Sequence, residues 1–307
     1  MTHILRRIMA MTLGAVLAIV GLGAAWLHGW ALPGASGATA ISVTKLHASA
    51  SGLAADQPIF VMFVGSDLRP GIGGARGDAI HLVAINQSLH AGTIINIPRD
   101  TCNGSKKINE TNSRGGVANT ASVVAAMAGI SIPYGVEVDF AGFTGLVDDV
   151  GGIYIDVPMQ MSDSYSGAYF PAGPQKMSGS QALSYSRNRH DFPRSDIQRS
   201  WNQGHLMVEA IKQLQQQYST ISGRFKLIEI LYRNAKISGM GAGELVQLGQ
   251  AASAVPAANF KNVTLPTTGG GCLGVAGAAQ TLFADVRDNG VLDQYPSGIA
   301  TLPDPRP

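Results

Sequence analysis

Charge is scarce in this chain. Only 14% of its 307 residues are charged and the formal net charge is +2, where a typical soluble domain has about 25% charged residues. That excludes the strongly basic stripe of a nucleic-acid binder, and no nucleic-acid partner is expected. Cysteine is scarcer still. Two residues, Cys102 and Cys272, exclude a disulfide-rich scaffold and a four-cysteine zinc or iron–sulfur site. The seven histidines are scattered without an HExxH pairing, no serine sits in a GxSxG elbow, and the glycines of the Ser66–Gly77 loop match neither GxGxxG nor a Walker A loop. No internal repeat is visible. With 45% hydrophobic residues and a mean hydropathy of +0.13 the chain is not disordered.

One long apolar run is present. Arg6 and Arg7 precede a stretch from Ile8 to Trp26 without a charge, Trp30 follows, and nothing basic appears until Lys45. About 20 apolar residues cross a bilayer as a helix, and the basic flank stays inside. The expectation is a single-pass cell-membrane protein with a cytoplasmic N-terminus and an extracytoplasmic C-terminal domain. A cleaved signal peptide is the other reading, with small residues at Ala35–Ala40. The run exceeds the usual 7–15 residues of a signal core, which favours the anchor. Either way the domain is exported, and export permits a Cys102–Cys272 disulfide, the alternative being two buried thiols.

Residues 1–32 are thus assigned to the cytoplasmic N-terminus and anchor. Residues 33–56 form a juxtamembrane linker with a short apolar element at Ile41–Val43. Residues 57–290 are one exported domain, and 291–307 a proline-rich tail. Within the domain, Pro58–Val64 reads as a strand buried on both faces, followed by strands at Ala79–Ile85, Thr93–Ile97, Gly135–Asp139, Ile153–Val157 and Phe260–Leu265. Helices are expected at Ala118–Ala128, Phe140–Val150, Ser178–Asn188 (with Ser178 and Gln181 spaced as a capping box), Ser195–Tyr218 (with Ser195 as cap), Phe225–Asn234, Gly243–Ala254 and Ala278–Asp288. Ser162–Met177 reads as a loop. Alternating strands and helices define an α/β class with a central mixed sheet flanked by helices.

Polar residues interrupt apolar elements in four places. Gly65–Arg69 (Gly-Ser-Asp-Leu-Arg) and Arg76–Asp78 flank a glycine-rich loop at strand ends, where open α/β sheets place ligands. Asp67 and Asp78 could share Mg²⁺ or Mn²⁺ through oxygen, or simply cap a turn and a strand end. Ile97-Pro98-Arg99-Asp100 follows another strand. Arg187 and Arg189 precede the long helix, on which Asp196, Arg199 and Gln203 share a face at i, i+3 and i+7. With Arg69, Arg76 and Arg99, six guanidinium groups could converge. A pyrophosphate would suit such planar, bidentate donors, whereas surface ion pairs are the alternative.

Taken in order, Gly65–Arg69, Arg76–Asp78, Ile97–Asp100, Lys107–Asn109, Asp139–Ile153, Gly179–Arg189 and Asp196–Arg199 resemble the motifs of the LytR–CpsA–Psr (LCP) family over about residues 58–215. The resemblance implies a membrane-anchored phosphotransferase of the bacterial envelope. Such an enzyme takes a glycopolymer from a polyprenyl pyrophosphate carrier and joins it by a phosphodiester to peptidoglycan. It implies that Asp67 and Asp78 hold Mg²⁺ (or Mn²⁺). Arg99, Arg187, Arg189, Asp196 and Arg199 would form the catalytic set, with Arg69, Arg76 and Gln203 contributing to the pyrophosphate site. It also implies an apolar tunnel for the polyprenyl tail between sheet and helices. The family's Arg-x-x-Arg-Gln-Gln is here Arg199-Ser200-Trp201-Asn202-Gln203-Gly204, so one arginine is replaced by Asn202. Asp67 and Asp196 are the candidates for a base. A non-catalytic binder of lipid-linked polymer or peptidoglycan is the competing function, and retention of both aspartates argues against it. A transcription regulator is a third, at odds with export and with a near-neutral charge.

Overall fold

Alternating burial in the apolar runs builds a sheet covered on both sides. The computed structural model describes residues 41–47, 56–67, 75–220 and 234–294, with some positions between 222 and 230. Arg6–Trp30 lies outside the described residues, as do Arg69 and the tail beyond 294. Among the described residues no helix is long and apolar enough to cross a membrane.

The elements run in chain order from β1 (Ile41–Lys45), β2 (Ile59–Ser66), β3 (Gly77–Asn86) and β4 (Ala91–Asn96) to the short ribbon β5 (Cys102–Asn103) and β6 (Lys106–Lys107). Helix α1 (Asn109–Ala128), β7 (Tyr134–Asp139) and α2 (Phe140–Asp149) follow. Then come β8 (Ile153–Val157), β9 (Met161–Asp163), β10 (Ala168–Phe170), β11 (Gly173–Met177), α3 (Gly179–Arg187) and α4 (Ser195–Gln217). The chain closes with β12 (Ala235–Ser238), α5 (Ala242–Ser253), β13 (Phe260–Thr264), β14 (Thr267–Thr268), β15 (Gly274–Val275) and α6 (Gly277–Asn289).

Seven strands form a mixed sheet in the order β12-β1-β7-β2-β3-β4-β13. The pairs β1/β12, β2/β7 and β4/β13 are parallel, and β1/β7, β2/β3 and β3/β4 antiparallel. Alternate residues of β2 face opposite layers. Ile59 and Val61 join Val83, Ile85, Ile94 and Leu214 on one side. Phe60, Met62 and Val64 join Leu82, Ile95, Val124 and Phe283 on the other. Each such side chain contributes about 1.5–3 kcal/mol when taken fully out of water. A third cluster, including Ile153, Ile155, Phe170, Tyr185 and Leu206, knits β8 to β11 against α2, α3 and α4.

Local chemistry sets the helix ends. Asp139 caps α2 by accepting from the Gly142 amide at 2.8 Å, and Ser178 with Gln181 forms the expected capping box of α3. Helix α1 begins nine residues earlier than its apolar pattern suggests, because it turns a corner at Gly115-Gly116. Gly116 has φ +63° and ψ −159°, backbone that a side chain would strain. Beyond the corner, the Val117 amide donates to Glu137 Oε2 at 3.3 Å, so a carboxylate of β7 caps the inner segment.

Three expectations need correction. Ile41–Val43 is not linker: it belongs to β1, an inner strand of the sheet, and Lys45 pairs with Glu244 of α5 at 2.9 Å. Ser162–Met177 is not a loop: it holds the β9–β10 hairpin and β11, which pairs with β8. Ser195 does not cap α4: it sits inside the first turn at φ +41°, and no side chain caps that end.

Cys102 and Cys272 are bonded, with Cα atoms 5.3 Å apart. The bond fastens the segment after β4 to the turn between β14 and β15, beside the Cys102 amide's hydrogen bond to Leu273 O at 2.7 Å. Replacing Cys272 by serine is expected to cost about 2–5 kcal/mol. Urea unfolding of the wild type with and without reductant should show the same loss, and no change in midpoint would count against it.

Candidate active site

A cavity of about 510 Å³ opens where the ends of β2, β3 and β4 meet α2, α3 and α4. Its two ends differ in chemistry. Phe63, Val83, Ile85, Ile94, Leu146, Leu206, Met207, Ala210 and Leu214 line the inner part, between sheet and helices. Asp67, Asp78, Arg99, Asp163, Arg187, Arg189, His190, Arg199 and Gln203 line the rest.

The polar end is organised around Asp196, which is 8% exposed. Its Oδ2 accepts from Arg99 Nε at 3.1 Å, and its Oδ1 lies 3.2 Å from Arg199 Nη2 and 3.7 Å from Arg189 Nη1. Arg99 donates again through Nη1 to Asp78 Oδ1 at 3.0 Å. One carboxylate thus gathers three guanidinium groups, and a second anchors one of them. Burial opposes the charge of Arg99, but Asp78, Asp196 and Asp100 outweigh it and raise its pKa. The opposite holds for Arg199. Burial, with the like charges of Arg99 and Arg189, lowers its pKa against the pull of Asp196 and Asp78.

Arg199 is 5% exposed, and its Nε and Nη2 have no aligned hydrogen-bond acceptor among the described residues. Gln203 spends Nε2 on Ser186 O at 2.9 Å and leaves Oε1 buried and unpartnered. Buried polar atoms without an aligned partner are costly in a folded protein. A cationic donor left open on a cavity wall suits an anion with several oxygens.

Helix α4 explains how this charge is tolerated. Its first turns bury Asp196, Gln198, Arg199, Ser200, Asn202 and Gln203 rather than an apolar stripe. Gly204 lets the helix lie directly on Asn96 and Asn262, whose side-chain atoms would collide with any Cβ there. Those asparagines hydrogen-bond each other at 2.7 Å, and Asn96 Oδ1 meets His81 Nδ1 at 2.8 Å. Burial pushes His81 down to about 4 against the opposing Asn96 hydrogen bond, so the imidazole is neutral near pH 7.

Asp67, Asp78, Arg99, Arg187, Arg189, Asp196, Arg199 and Gln203 are therefore brought together; all but Asp196 line the cavity, and Asp196 ties the arginines from behind. Arg187 stands over the Phe140 ring, 5.2 Å from its centroid. Arg76 is not on the cavity wall: its side chain is exposed, and its backbone amide donates to Asp67 Oδ1 at 2.7 Å, fixing that carboxylate. Arg69 lies outside the described residues. Asp163 and His190 were not among the expected site residues. His190 stands next to Arg189 in sequence, an available signal; Asp163 sits in the segment read as loop and carries none.

Among the described residues no three His, Cys, Asp or Glu side chains cluster as a metal cage. Two of the carboxylates that line the cavity, Asp67 and Asp78, lie at the facing ends of β2 and β3. That fits a hard cation such as Mg²⁺, which keeps water and takes one or two carboxylates together with substrate phosphate oxygens.

The fold and site together are a mixed sheet with an apolar cavity that ends in clustered arginines and aspartates. The chain belongs to the LytR_cpsA_psr family, whose model matches residues 35–287. Among curated proteins it is similar to the polyisoprenyl-teichoic acid–peptidoglycan teichoic acid transferase TagU of Bacillus anthracis, at 30% identity over 59% of this chain and 60% of that protein. The chain thus matches less than two thirds of the length of those relatives. Among solved structures it resembles TagV of B. subtilis, with TM-score 0.62, 25% identity, and coverage of 78% of this chain and 99% of that one. A LytR-Csp2A-Psr enzyme from Actinomyces oris aligns with TM-score 0.61 and 27% identity, covering 75% of this chain and 89% of that one.

Proposed function

We propose that the protein is a membrane-anchored phosphotransferase that moves a glycopolymer from a polyprenyl pyrophosphate carrier onto a hydroxyl of peptidoglycan, forming a phosphodiester. The observation that carries this reading is the cavity of two halves: an apolar interior beside a mouth where Arg199, buried and open, faces the same space as Arg99, Arg187 and Arg189. A polyprenyl pyrophosphate has that division, an apolar tail and a compact polyanion. The TagU relatives are named for transfer of teichoic acid from a polyisoprenyl carrier to peptidoglycan, an activity of the same kind.

In this reading the prenyl tail lies against Phe63, Leu206 and Met207. Arg187, Arg189 and Arg199 bind the pyrophosphate oxygens and meet the charge that grows on the leaving phosphate. Phosphoryl transfer asks mainly for such positioning and neutralisation. Asp196 and Asp78 orient the guanidinium groups, and Gln203 stiffens the wall by its bond to Ser186. Asp67 and Asp78 would hold Mg²⁺ (or Mn²⁺), which when bound supplies charge neutralisation at the phosphate oxygens. The N-terminal apolar run would keep the domain at the membrane that holds the lipid donor.

The test incubates the full chain in detergent with a prenyl-pyrophosphoryl sugar and measures phosphate release with and without Mg²⁺. Release that needs the cation and falls by about 10²-fold or more in Asp67→Ala and in Arg187→Ala is the expected result. Donor binding without any release, with or without a peptidoglycan acceptor, would leave a binding protein instead.

A further inference from the structure

The mouth of the cavity holds one titratable pair that pyrophosphate binding does not use. Asp163, at the end of β9, is 2% exposed. Both its oxygens lie 3.0 Å from His190 Nδ1, and the Tyr165 and Arg189 amides donate to it at 2.9 and 3.3 Å. Burial pushes the Asp163 carboxyl up, but His190 and these amides outweigh it and hold it below the usual carboxylate range. Asp163 is therefore an ionised acceptor, which assigns the proton of neutral His190 to Nδ1 and leaves Nε2 as the basic nitrogen. His190 also packs at a tilt against Tyr165, ring centroids 4.6 Å apart and planes at 39°, and Asp163, Tyr165 and His190 all line the cavity with Arg189 and Arg199.

Tyr165 is 82% exposed, so the pair stands on the solvent side, opposite the apolar interior. In the transferase reading an acceptor hydroxyl would arrive from that side. The carboxylates nearer the pyrophosphate are committed elsewhere: Asp196 to three guanidinium groups, Asp78 to Arg99, and Asp67 to the Arg76 amide. A buried carboxylate on Nδ1 of an imidazole that lines the reaction cavity is the arrangement by which such a ring serves as a base.

Resting on the transferase reading above, we propose that His190, oriented by Asp163, is the base that takes the proton from the acceptor hydroxyl. The hydroxyl O–H bond breaks and its proton goes to Nε2. The oxygen bonds to the phosphorus carrying the glycan, while the bond from that phosphorus to the bridging oxygen breaks. That electron pair leaves with the polyprenyl phosphate. The imidazolium then returns its proton to the leaving phosphate or to water. His190 is a catalytic residue in this step and Asp163 a positioning residue.

The experiment uses the full chain in detergent, a prenyl-pyrophosphoryl N-acetylglucosamine as donor and a peptidoglycan tetrasaccharide as acceptor. His190→Ala is expected to lower kcat by about 10²–10⁴-fold with the donor KM nearly unchanged, and added imidazole to restore part of it. Asp163→Asn should lower kcat while sparing donor KM, without rescue by imidazole. His190→Gln serves where the alanine variant does not fold. A folded His190 variant with wild-type kcat overturns the base and leaves the transferase standing. Loss of kcat that imidazole does not restore also overturns it, making His190 a donor-positioning group. A wild-type chain that binds the donor and transfers nothing overturns both readings.

Discussion

Arg199→Ala should lower turnover by about 10³–10⁵-fold, the range seen when a guanidinium that meets the charge of a phosphoryl transition state is lost. It should do so with little loss of fold stability. Arg199 is buried beside Arg99 and Arg189, and its charge is held against burial and their repulsion. Removing it relieves that repulsion and leaves Asp196 still paired to Arg99 at 3.1 Å. The checks are phosphate release and a thermal melt, run together. Donor should raise the melting temperature of the wild type and raise that of the variant much less. A variant within about tenfold of wild-type turnover would place the pyrophosphate elsewhere on the wall.

Asp196→Ala should do the reverse to the fold. Three guanidinium groups depend on this carboxylate, and buried Arg199 has no aligned acceptor for Nε or Nη2 among the described residues. Breaking a buried pair by deleting one partner costs roughly 3–5 kcal/mol, readable as a shift of the urea midpoint. The double variant Asp196→Ala/Arg199→Ala should recover part of that loss, because the stranded cation is gone; strict additivity of the two effects would refute the coupling. Activity should be absent in both.

Legibility followed how local each signal was. Strands β2, β3, β4 and β8 are read from the sequence because their burial is continuous or strictly alternating. The α3 capping box is read from two residues three apart. Strand β1 was missed because its five residues, Ile-Ser-Val-Thr-Lys, become a strand only by pairing with β7 and β12, far away in sequence. The β9–β10 hairpin was missed for the same reason: three-residue strands carry too little period. At the site, Asp196, Arg199 and Gln203 were legible because helical spacing put them on one face. Arg76 was misplaced on the cavity wall because only the fold shows that its backbone, not its guanidinium, serves Asp67. No spacing rule joins Asp163 to His190 across 27 residues.

Under the proposed anchor, the inner position of β1 would also limit how far the domain can stray from a membrane. A leash spanning residues 33–56 would reach at most about 80 Å when fully stretched. The first described strand begins at Ile41, eight residues after position 33, a separation of at most about 28 Å along the chain. With the apolar run as the anchor, the domain would hover within a few nanometres of the bilayer. Tension on that tether would then pull along β1, loading its hydrogen bonds to β7 and β12 together in shear rather than peeling them singly.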